Sequence, residues 1–303
     1  MTHPKIKRFG KRIEGFFVRI KQRAIVHHLL RKSGGAEVVA AYAGAQADDG
    51  EPIAADAPVW ICWWQGEAAM PDIAKACVRS IRRHAGTHPV VFITKDNYAE
   101  YADMPADIVE MQIGGVIDLT HFADILRMQL LRRHGGIWMD ATVLIPAKEL
   151  ASFIRTGTRY WSCRHRPIYH NISRGGWTSF FLACGRNCPL PAVIADLHLA
   201  YWRRHRRLID YLLLDYCFAI ARRHVPAVAE LVDRVPLSVM GPLGKCLNAP
   251  FDPQEWQRFC EEYDFHKLTY KIPLHRMTPD GRKTYYGHIM ETFFDAPVNT
   301  DLV

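Results

Sequence analysis

Short hydrophobic runs rich in β-branched and aromatic residues recur between residues 58 and 145. They fall at residues 59–64, 89–94, 107–111, 137–139 and 143–145. Their length and composition predict buried β-strands. After residue 150 the pattern is less regular, and it predicts strands at 160–163 and 179–183 and helices at about 191–206 and 211–224.

Longer segments with helical spacing separate the first strands. One helix is predicted from Pro71 to about His84, because proline is favoured in the first turn of a helix. Another is predicted over residues 121–134, with Thr120 as its N-cap and the glycine pair at 135–136 as its stop. Strands that alternate with helices favour a parallel, Rossmann-like sheet.

The first 33 residues have a different pattern, which predicts an amphipathic helix. Apolar residues follow one another at steps of three and four, from Ile6 and Phe9 through Phe16 and Phe17 to Ile20. Two interpretations are open. The helix lies on an anionic membrane, which the phenylalanines and the positive charge favour, or it docks its apolar stripe on the rest of the protein.

The net charge of +8 is concentrated in this arm. Ten of the 39 Lys and Arg residues, but only one of the 31 acidic residues, fall within residues 1–33. The remainder is close to neutral, which argues against a fold built around nucleic acid. We expect an arm at 1–33, a weakly ordered linker at 34–57 that is rich in Ala, Gly and Asp, and one large domain at 58–303.

The composition also bears on location. No apolar run reaches the roughly 18 residues of a transmembrane helix, and no secretory leader is recognisable. The eight cysteines lack the C-x-x-C spacing of a zinc site, so reduced thiols are expected. We therefore predict a cytoplasmic protein, bound peripherally to the inner face of the plasma membrane through the arm.

One block contains the residues that indicate chemistry: FADILRMQLLRRHGGIWMDATV, residues 122–143. Asp140 follows a predicted strand, where ligands bind in open α/β sheets. Asp124 and Arg127 are three residues apart and so share one face of the predicted helix. Taken singly, they are equally consistent with a surface ion pair and a turn residue.

Taken together, these residues resemble the nucleotide-sugar site of DXD-type glycosyltransferases. The sequence is similar to the bacterial capsular polysaccharide synthesis family, a relative of the yeast-type initiating mannosyltransferases and of the clostridial toxin catalytic domains. Residues 59–66, 174–184, 212–220 and the string FHKLTYK at 265–271 extend the resemblance. It implies a GT-A-like, Rossmann-type mixed sheet flanked by helices. It also implies transfer of a sugar from a nucleotide-sugar donor to a surface polysaccharide or lipid-linked glycan, with retention of configuration.

The resemblance also implies roles for individual residues. Asp124 and Asp140 contact the sugar or ribose, and Arg127 the sugar or the diphosphate. The predicted donor-binding residues are Trp63, Trp64, Gln65, Gly135, Gly136, Thr142 and Lys267. For the two tryptophans, packing in the core is the alternative.

A divalent cation, Mn²⁺ or Mg²⁺, is implied as cofactor, with Asp140 and His288 as its ligands. Here the sequence departs from the family pattern, because Thr142 replaces the second Asp of the motif. A hydroxyl is a poorer ligand for a hard cation than a carboxylate. Asp215 is either an acid or base on the acceptor side or a buried, hydrogen-bonded residue. The rival functions are a catalytically inactive family member and a basic binding module without catalysis.

Overall fold

A five-stranded mixed sheet organises the protein. The computed structural model describes residues 4–154, 157–165, 171–238 and 240–296, with side chains from residue 14 onward. The strands in this part of the chain are β1 (Val59–Cys62), β2 (Val90–Ile93), β3 (Gly136–Met139), β4 (Val143–Leu144), β5 (Tyr160–Ser162), β6 (Phe181–Cys184) and β7 (His266–Lys267).

The main sheet has the order β2-β1-β3-β6-β5. β1 pairs in parallel with both β2 and β3, whereas β3–β6 and β6–β5 are antiparallel. The remaining strands, β4 and β7, form a separate antiparallel pair. The parallel pairing that the alternating strands and helices favour is therefore found for β2, β1 and β3, and the mixed α/β sheet flanked by helices is confirmed.

Helices cover both faces of the sheet. Those described are α1 (Pro4–Lys32), α2 (Gly35–Ala41), α3 (Asp72–Arg83), α4 (Tyr98–Tyr101), α5 (Ala106–Ile113), α6 (Leu119–His134), α7 (Pro189–Arg204), α8 (Leu213–His224), α9 (Pro226–Asp233), α10 (Pro253–Glu262) and α11 (Tyr285–Ile289). Successive side chains of a strand point to opposite faces. Trp138 of β3 thus packs with α6, α7 and α8, while Ile137 and Met139 pack with α3 on the other side.

The hydrophobic run at 107–111 is a helix and not the expected strand. It lies within α5, where Ile108 and Met111 are buried and Ile113 is 77% exposed. The spacing of three between the two buried residues is the helical one, and Pro105 precedes the first turn. A five-residue segment with three apolar positions is too short to distinguish a helical from a strand period, which explains the error.

Residues 34–57, expected to be a weakly ordered linker, contain structured elements. α2 lies against α7, and a short 3₁₀ turn at Ala47–Asp49 lies against α9. Ala47 and Ile53 are buried. The segment is therefore packed onto the body of the protein.

The helix predicted for the arm is present as α1, and its described part has two apolar faces. Ile25 and Leu29 are buried in the core beside α7 and α8. Phe16, Phe17 and Ile20 of the predicted stripe are 54%, 63% and 47% exposed. The docked face is therefore not the predicted stripe. None of the described helices is long and apolar enough to cross a membrane.

Candidate active site

A pocket of about 400 Å³ opens where β1 and β3 end. Its walls come from the end of β1, the face of α6, the turn after β3 and the segment that follows β7. The lining residues are Cys62, Trp63, Thr120, Ala123, Arg127, Trp138, Asp140, Ala141, Thr142, Tyr211, Lys267, Leu268, Thr269, Tyr270 and Lys271. This location agrees with the general rule for ligand sites in open α/β sheets.

Two backbone hydrogen bonds fix the position of Asp140 at this edge of the sheet. Its N–H donates to the carbonyl of Phe180 at 2.9 Å, and its carbonyl accepts from the N–H of Val143 at 2.9 Å. The side chain is 29% exposed. The indole Nε1 of Trp138 donates to Asp140 Oδ1 at 3.0 Å. The carboxylate is therefore fixed in direction before any ligand binds.

Lys267 reaches this carboxylate from the smaller sheet. Its strand, β7, pairs with β4 in a register that sets Lys267 opposite Val143. Its Nζ donates to Asp140 Oδ2 at 2.6 Å and to Thr142 Oγ1 at 2.7 Å. The ammonium group thus lies between the side chains of Asp140 and Thr142.

Arg127 is the second cation of the pocket. It is buried, and its Nη2 lies 3.3 Å from Asp124 Oδ1 and 3.4 Å from Asp140 Oδ1. Nη1 donates to the carbonyl of Ser179, and the guanidinium carbon lies 4.7 Å from the ring centre of Trp138. Nε is buried without a hydrogen-bond partner among the described residues.

The two carboxyl groups have opposite pKa shifts. Burial raises the pKa of Asp124 to about 6, because the opposing charge of Arg127 compensates only in part. Burial also raises the pKa of Asp140, but the nearby charges of Lys267 and Arg127 outweigh it, and that pKa lies below its ordinary value. Asp140 is therefore an anion at neutral pH, and Asp124 can exchange a proton close to physiological pH.

An aromatic pair forms the outer wall of the pocket. Trp63 lies at the end of β1, and its ring centre is 5.6 Å from that of Tyr270. Tyr211, 62% exposed, contributes a third ring. These rings offer flat apolar surface beside the charged groups, as a nucleotide base requires.

Four predicted donor-binding residues lie outside the pocket. Trp64 packs against Tyr98 and Phe122 at ring distances of 5.1 and 5.0 Å, the core-packing alternative. The side chain of Gln65 is exposed and does not line the pocket. Gly135 ends α6 and Gly136 begins β3, at the end of the strand opposite Asp140.

The glycine pair has a structural role that the sequence did not reveal. Gly136 has a φ of 102°, and a Cβ there would lie 2.6 Å from the carbonyl oxygen of Pro58. The carbonyl of Gly135 accepts from Trp60 Nε1 at 2.9 Å. The pair therefore lets the end of α6 pass directly into a strand that packs closely beside β1.

His288 lies away from the pocket. It is in α11, with its ring stacked on Phe251 at 4.0 Å and edge-on to Trp256 at 4.6 Å. Burial and the charge of Lys283 lower its pKa. Within the described ranges no group of three or more His, Cys, Asp or Glu side chains converges as metal ligands.

The residues at the motif fit a bound divalent cation poorly. The two oxygens of Asp140 already face Lys267, Arg127 and Trp138, and the hydroxyl of Thr142 accepts from Lys267. A metal ion there would have to displace an ammonium group and would gain one carboxylate. The positive charge of the pocket is supplied by the protein itself.

Asp215 of α8 is half-buried. Trp177 Nε1 donates to its Oδ1 at 2.8 Å, and the indole ring stacks on Phe218 at 5.5 Å. Burial raises the pKa of Asp215. It is hydrogen-bonded, and it does not line the pocket.

Sequence reasoning missed several lining residues. Trp138 had a usable signal, because a residue two positions before Asp140 on a strand projects to the same face. Tyr211 and Tyr270 had none, because each follows from how a distant segment folds across the sheet edge.

The fold is thus α/β, and its candidate site is a pocket whose cations are held by carboxylates. The sequence profile of the family described as capsular polysaccharide synthesis protein matches residues 17–289. The chain belongs to this family, and the resemblance noted from the sequence is confirmed.

Other comparisons give more distant similarities. The chain is similar to the solved structure of the PaToxG glycosyltransferase, with a TM-score of 0.45 and 12% identity over 84% of this chain and 100% of that one. It is also similar to the apo structure of the bifunctional glycosyltransferase WbbM, with a TM-score of 0.44 and 11% identity over 81% and 51%. Among curated proteins no sequence matches the chain.

Proposed function

We propose that this protein is a glycosyltransferase that moves a sugar from a nucleotide-sugar donor to a surface polysaccharide or related glycan. The observation that carries the proposal is the cluster of Lys267, Arg127 and Asp140 beside an aromatic wall at the carboxyl ends of the strands. Membership of the capsular polysaccharide synthesis family supports this class of acceptor.

The chemistry needs positive charge where the leaving nucleoside diphosphate develops its negative charge. Groups that are fixed before the reaction stabilise such a charge most effectively. Arg127 and Lys267 supply two cations, and Asp140 holds both in place. The unpaired Nε of Arg127 is a donor available to a phosphate or sugar oxygen after a small rotation.

Trp63 and Tyr270 are proposed to receive the base of the donor, because they form the apolar wall nearest the cations. Asp124 is proposed to orient Arg127 through their 3.3 Å contact, and to bind ribose or sugar hydroxyls. Retention of configuration is part of the proposal and is tested by NMR of the first-formed product.

One experiment distinguishes whether Lys267 or a metal ion supplies the positive charge that stabilises the leaving group. If Lys267 takes the place of a metal, wild-type transfer persists in EDTA, and Lys267→Ala gains Mn²⁺ binding because Asp140 becomes accessible. If a metal is required, EDTA abolishes transfer, and Thr142→Asp tightens Mn²⁺ binding when UDP or GDP is present. Calorimetric titration of Mn²⁺, with and without nucleotide, measures the metal binding of both variants.

The donor is identified with a panel of UDP-, GDP- and CMP-sugars. Thermal stabilisation reports binding, and release of nucleoside diphosphate reports turnover. Stabilisation without turnover on any acceptor would favour the inactive family member, and no response to any nucleotide-sugar would contradict the proposal.

A peripheral position on the inner face of the plasma membrane is the second part of the proposal. It is supported by the exposed Phe16, Phe17 and Ile20 on a helix rich in Lys and Arg. Phe16→Ser/Phe17→Ser in the full chain should reduce flotation with anionic vesicles and leave nucleotide binding unchanged. Undiminished flotation of this variant would contradict the membrane role of these residues.

A further inference from the structure

A second and larger cavity lies beside the C-terminal half of α8. It is a cleft of about 670 Å³ lined by α1, α8 and the loop at 172–177. Its cationic residues come from three separate segments and are Arg19, Arg23, Arg174, Arg222 and Arg223. We call it the basic cleft.

The charge of the basic cleft is largely uncompensated. No aspartate or glutamate is among the described residues that line it. Arg222 is neutralised in part, because its Nη2 lies 2.7 Å from Asp233 Oδ1. The other four arginines have no salt bridge within the described part of the chain. Cations gathered in this way repel one another, and an anion bound between them relieves that repulsion.

The loop at 172–177, which lines the cleft, is held in an unusual conformation. Arg174 has a φ of 47°, in the left-handed region that residues with a Cβ rarely adopt. Its N–H donates to the carbonyl of Asn171 at 3.2 Å, and the N–H of Gly176 donates to Ser173 at 2.8 Å. This turn fixes the backbone of Arg174 at the edge of the cleft.

Exposed apolar side chains of α1 lie beside two arginines of the cleft. Phe16 precedes Arg19 by three positions and Ile20 precedes Arg23 by three, so each apolar side chain shares a helix face with an arginine. Both apolar side chains are about half exposed. A ligand that fits this surface has a compact anionic head and an apolar chain.

We propose that the basic cleft binds the phosphate group of a membrane lipid, with the hydrocarbon chain lying along Phe16, Phe17 and Ile20. Arginine is well suited to this ligand, since its planar group binds phosphate oxygens through two hydrogen bonds. The inference rests on the proposed peripheral membrane function and adds a specific headgroup site. It also brings in Arg174 and Arg223, which lie outside the arm.

The basic cleft is connected to the candidate active site by one short segment. Trp177 lines the cleft and donates to Asp215, and two residues later the carbonyl of Ser179 accepts from Arg127. A lipid phosphate in the cleft therefore lies one loop away from the donor pocket. That distance suits a lipid-linked acceptor as well as a bulk phospholipid.

Flotation of the full chain with vesicles tests the proposal. Vesicles of phosphatidylcholine alone are compared with vesicles containing phosphatidylglycerol or a long-chain isoprenoid phosphate, the latter two matched in surface potential. Arg174→Gln/Arg223→Gln should lower affinity for the anionic vesicles by about tenfold or more. Arg206→Gln/Arg207→Gln removes the same charge from exposed positions outside the cleft and should cost less than about threefold.

The outcomes separate the possibilities. Stronger binding to vesicles that contain the isoprenoid phosphate would assign the cleft to a lipid-linked acceptor. Equal binding to the two kinds of anionic vesicle would assign the cleft to bulk anionic phospholipid. Equal losses in the two double variants, or no binding to either anionic vesicle, would overturn the proposal. Arg174→Lys/Arg223→Lys should recover part of the affinity, which separates lost charge from misfolding. Donor hydrolysis without vesicles is followed in parallel and should be unchanged in all three variants, so a failed transferase assay leaves this test intact.

Discussion

The candidate active site and the basic cleft both gather arginine or lysine, but they treat the charge in opposite ways. In the active site Lys267 and Arg127 each lie within 3.5 Å of a carboxylate oxygen of Asp140. In the basic cleft four of five arginines have no described acid in salt-bridge range. One pocket is therefore organised before its ligand arrives, whereas the other depends on a ligand to neutralise it.

This difference determines which kind of anion each pocket is suited to bind. Cations fixed by a carboxylate keep their geometry and stabilise charge that develops during a reaction. Cations without partners attract an anion strongly but place little constraint on its orientation. A reacting diphosphate suits the first arrangement, and a headgroup that only needs to be held suits the second.

The largest expected effect comes from removing the counter-charge in the active site. Asp140→Asn should lower the rate of donor hydrolysis by about a hundredfold or more, because Lys267 and Arg127 lose the group that positions them. The rate of nucleoside diphosphate release measures this loss. Asp103→Asn, which removes an 80% exposed partner of Arg133, is the matched control and should leave the rate unchanged. Wild-type turnover by Asp140→Asn would remove this residue from the mechanism.

The second prediction tests whether α1 is a fixed wall of the basic cleft. Leu29 is 3% exposed in the core, so Leu29→Ala should lower the free energy of unfolding by about 2–3 kcal/mol. Urea unfolding of the full chain measures it. Phe17→Ala, at an exposed position on the same helix, should change stability by less than about 0.5 kcal/mol. An equally small effect of Leu29→Ala would mean that α1 unfolds independently and that the cleft is not a permanent feature.

The third prediction uses pH to examine the pairing inside the active site. Burial raises the pKa of Asp124 to about 6, so the folded protein binds this proton more tightly than the unfolded chain, whose ordinary value is 3.8. The contribution of Asp124 to the free energy of unfolding therefore grows as pH falls from about 6 towards 4. Above pH 6 the carboxyl group is ionised in the folded protein, and the full free-energy cost of burying its charge is present.

Asp124→Asn removes this dependence. Between pH 4.5 and 7 the difference in unfolding free energy between wild type and variant should change by about 2 kcal/mol. The wild type becomes less stable relative to the variant as pH rises. Denaturant unfolding at several pH values measures it. Parallel pH profiles for the two proteins would show that Asp124 has an ordinary pKa and that Arg127 compensates its burial fully.

The smallest effect is expected from the ion pair that ties α1 to the segment before α8. Lys21 Nζ lies 2.7 Å from Asp210 Oδ2, but the lysine side chain is 65% exposed. Lys21→Gln should therefore lower the unfolding free energy by less than about 1 kcal/mol. A loss above about 2 kcal/mol in thermal or urea unfolding would mean that this pair, and not Ile25 and Leu29, fixes the helix.

The sequence predicted best where a pattern was long or chemically specific. The helices around residues 72–83 and 119–134 had enough turns for their period to be recognised. The block at 122–143, with the lysine of FHKLTYK, named Asp124, Arg127, Asp140, Thr142 and Lys267, and the structure brings these five together. The role of each residue stays a prediction.

The sequence failed where the period was short or where one residue type had two uses. The run at 107–111 has the composition of a strand but lies in a helix. Trp63 and Trp64 are adjacent, yet one faces the pocket and the other the core, because neighbouring residues at a strand end point in opposite directions. The apolar stripe of α1 was recognised, but the face that docks was not.

By itself, then, the sequence determined the family, the α/β class and the residues of the charged motif, because local composition and spacing encode them. Only the tertiary structure decided which residues meet. It set Lys267 against Asp140 across 127 positions of chain. It also gathered Arg23, Arg174 and Arg223 around one cleft. Such contacts depend on how strands pair and helices pack, and these long-range arrangements leave no periodic mark on the segments that they join.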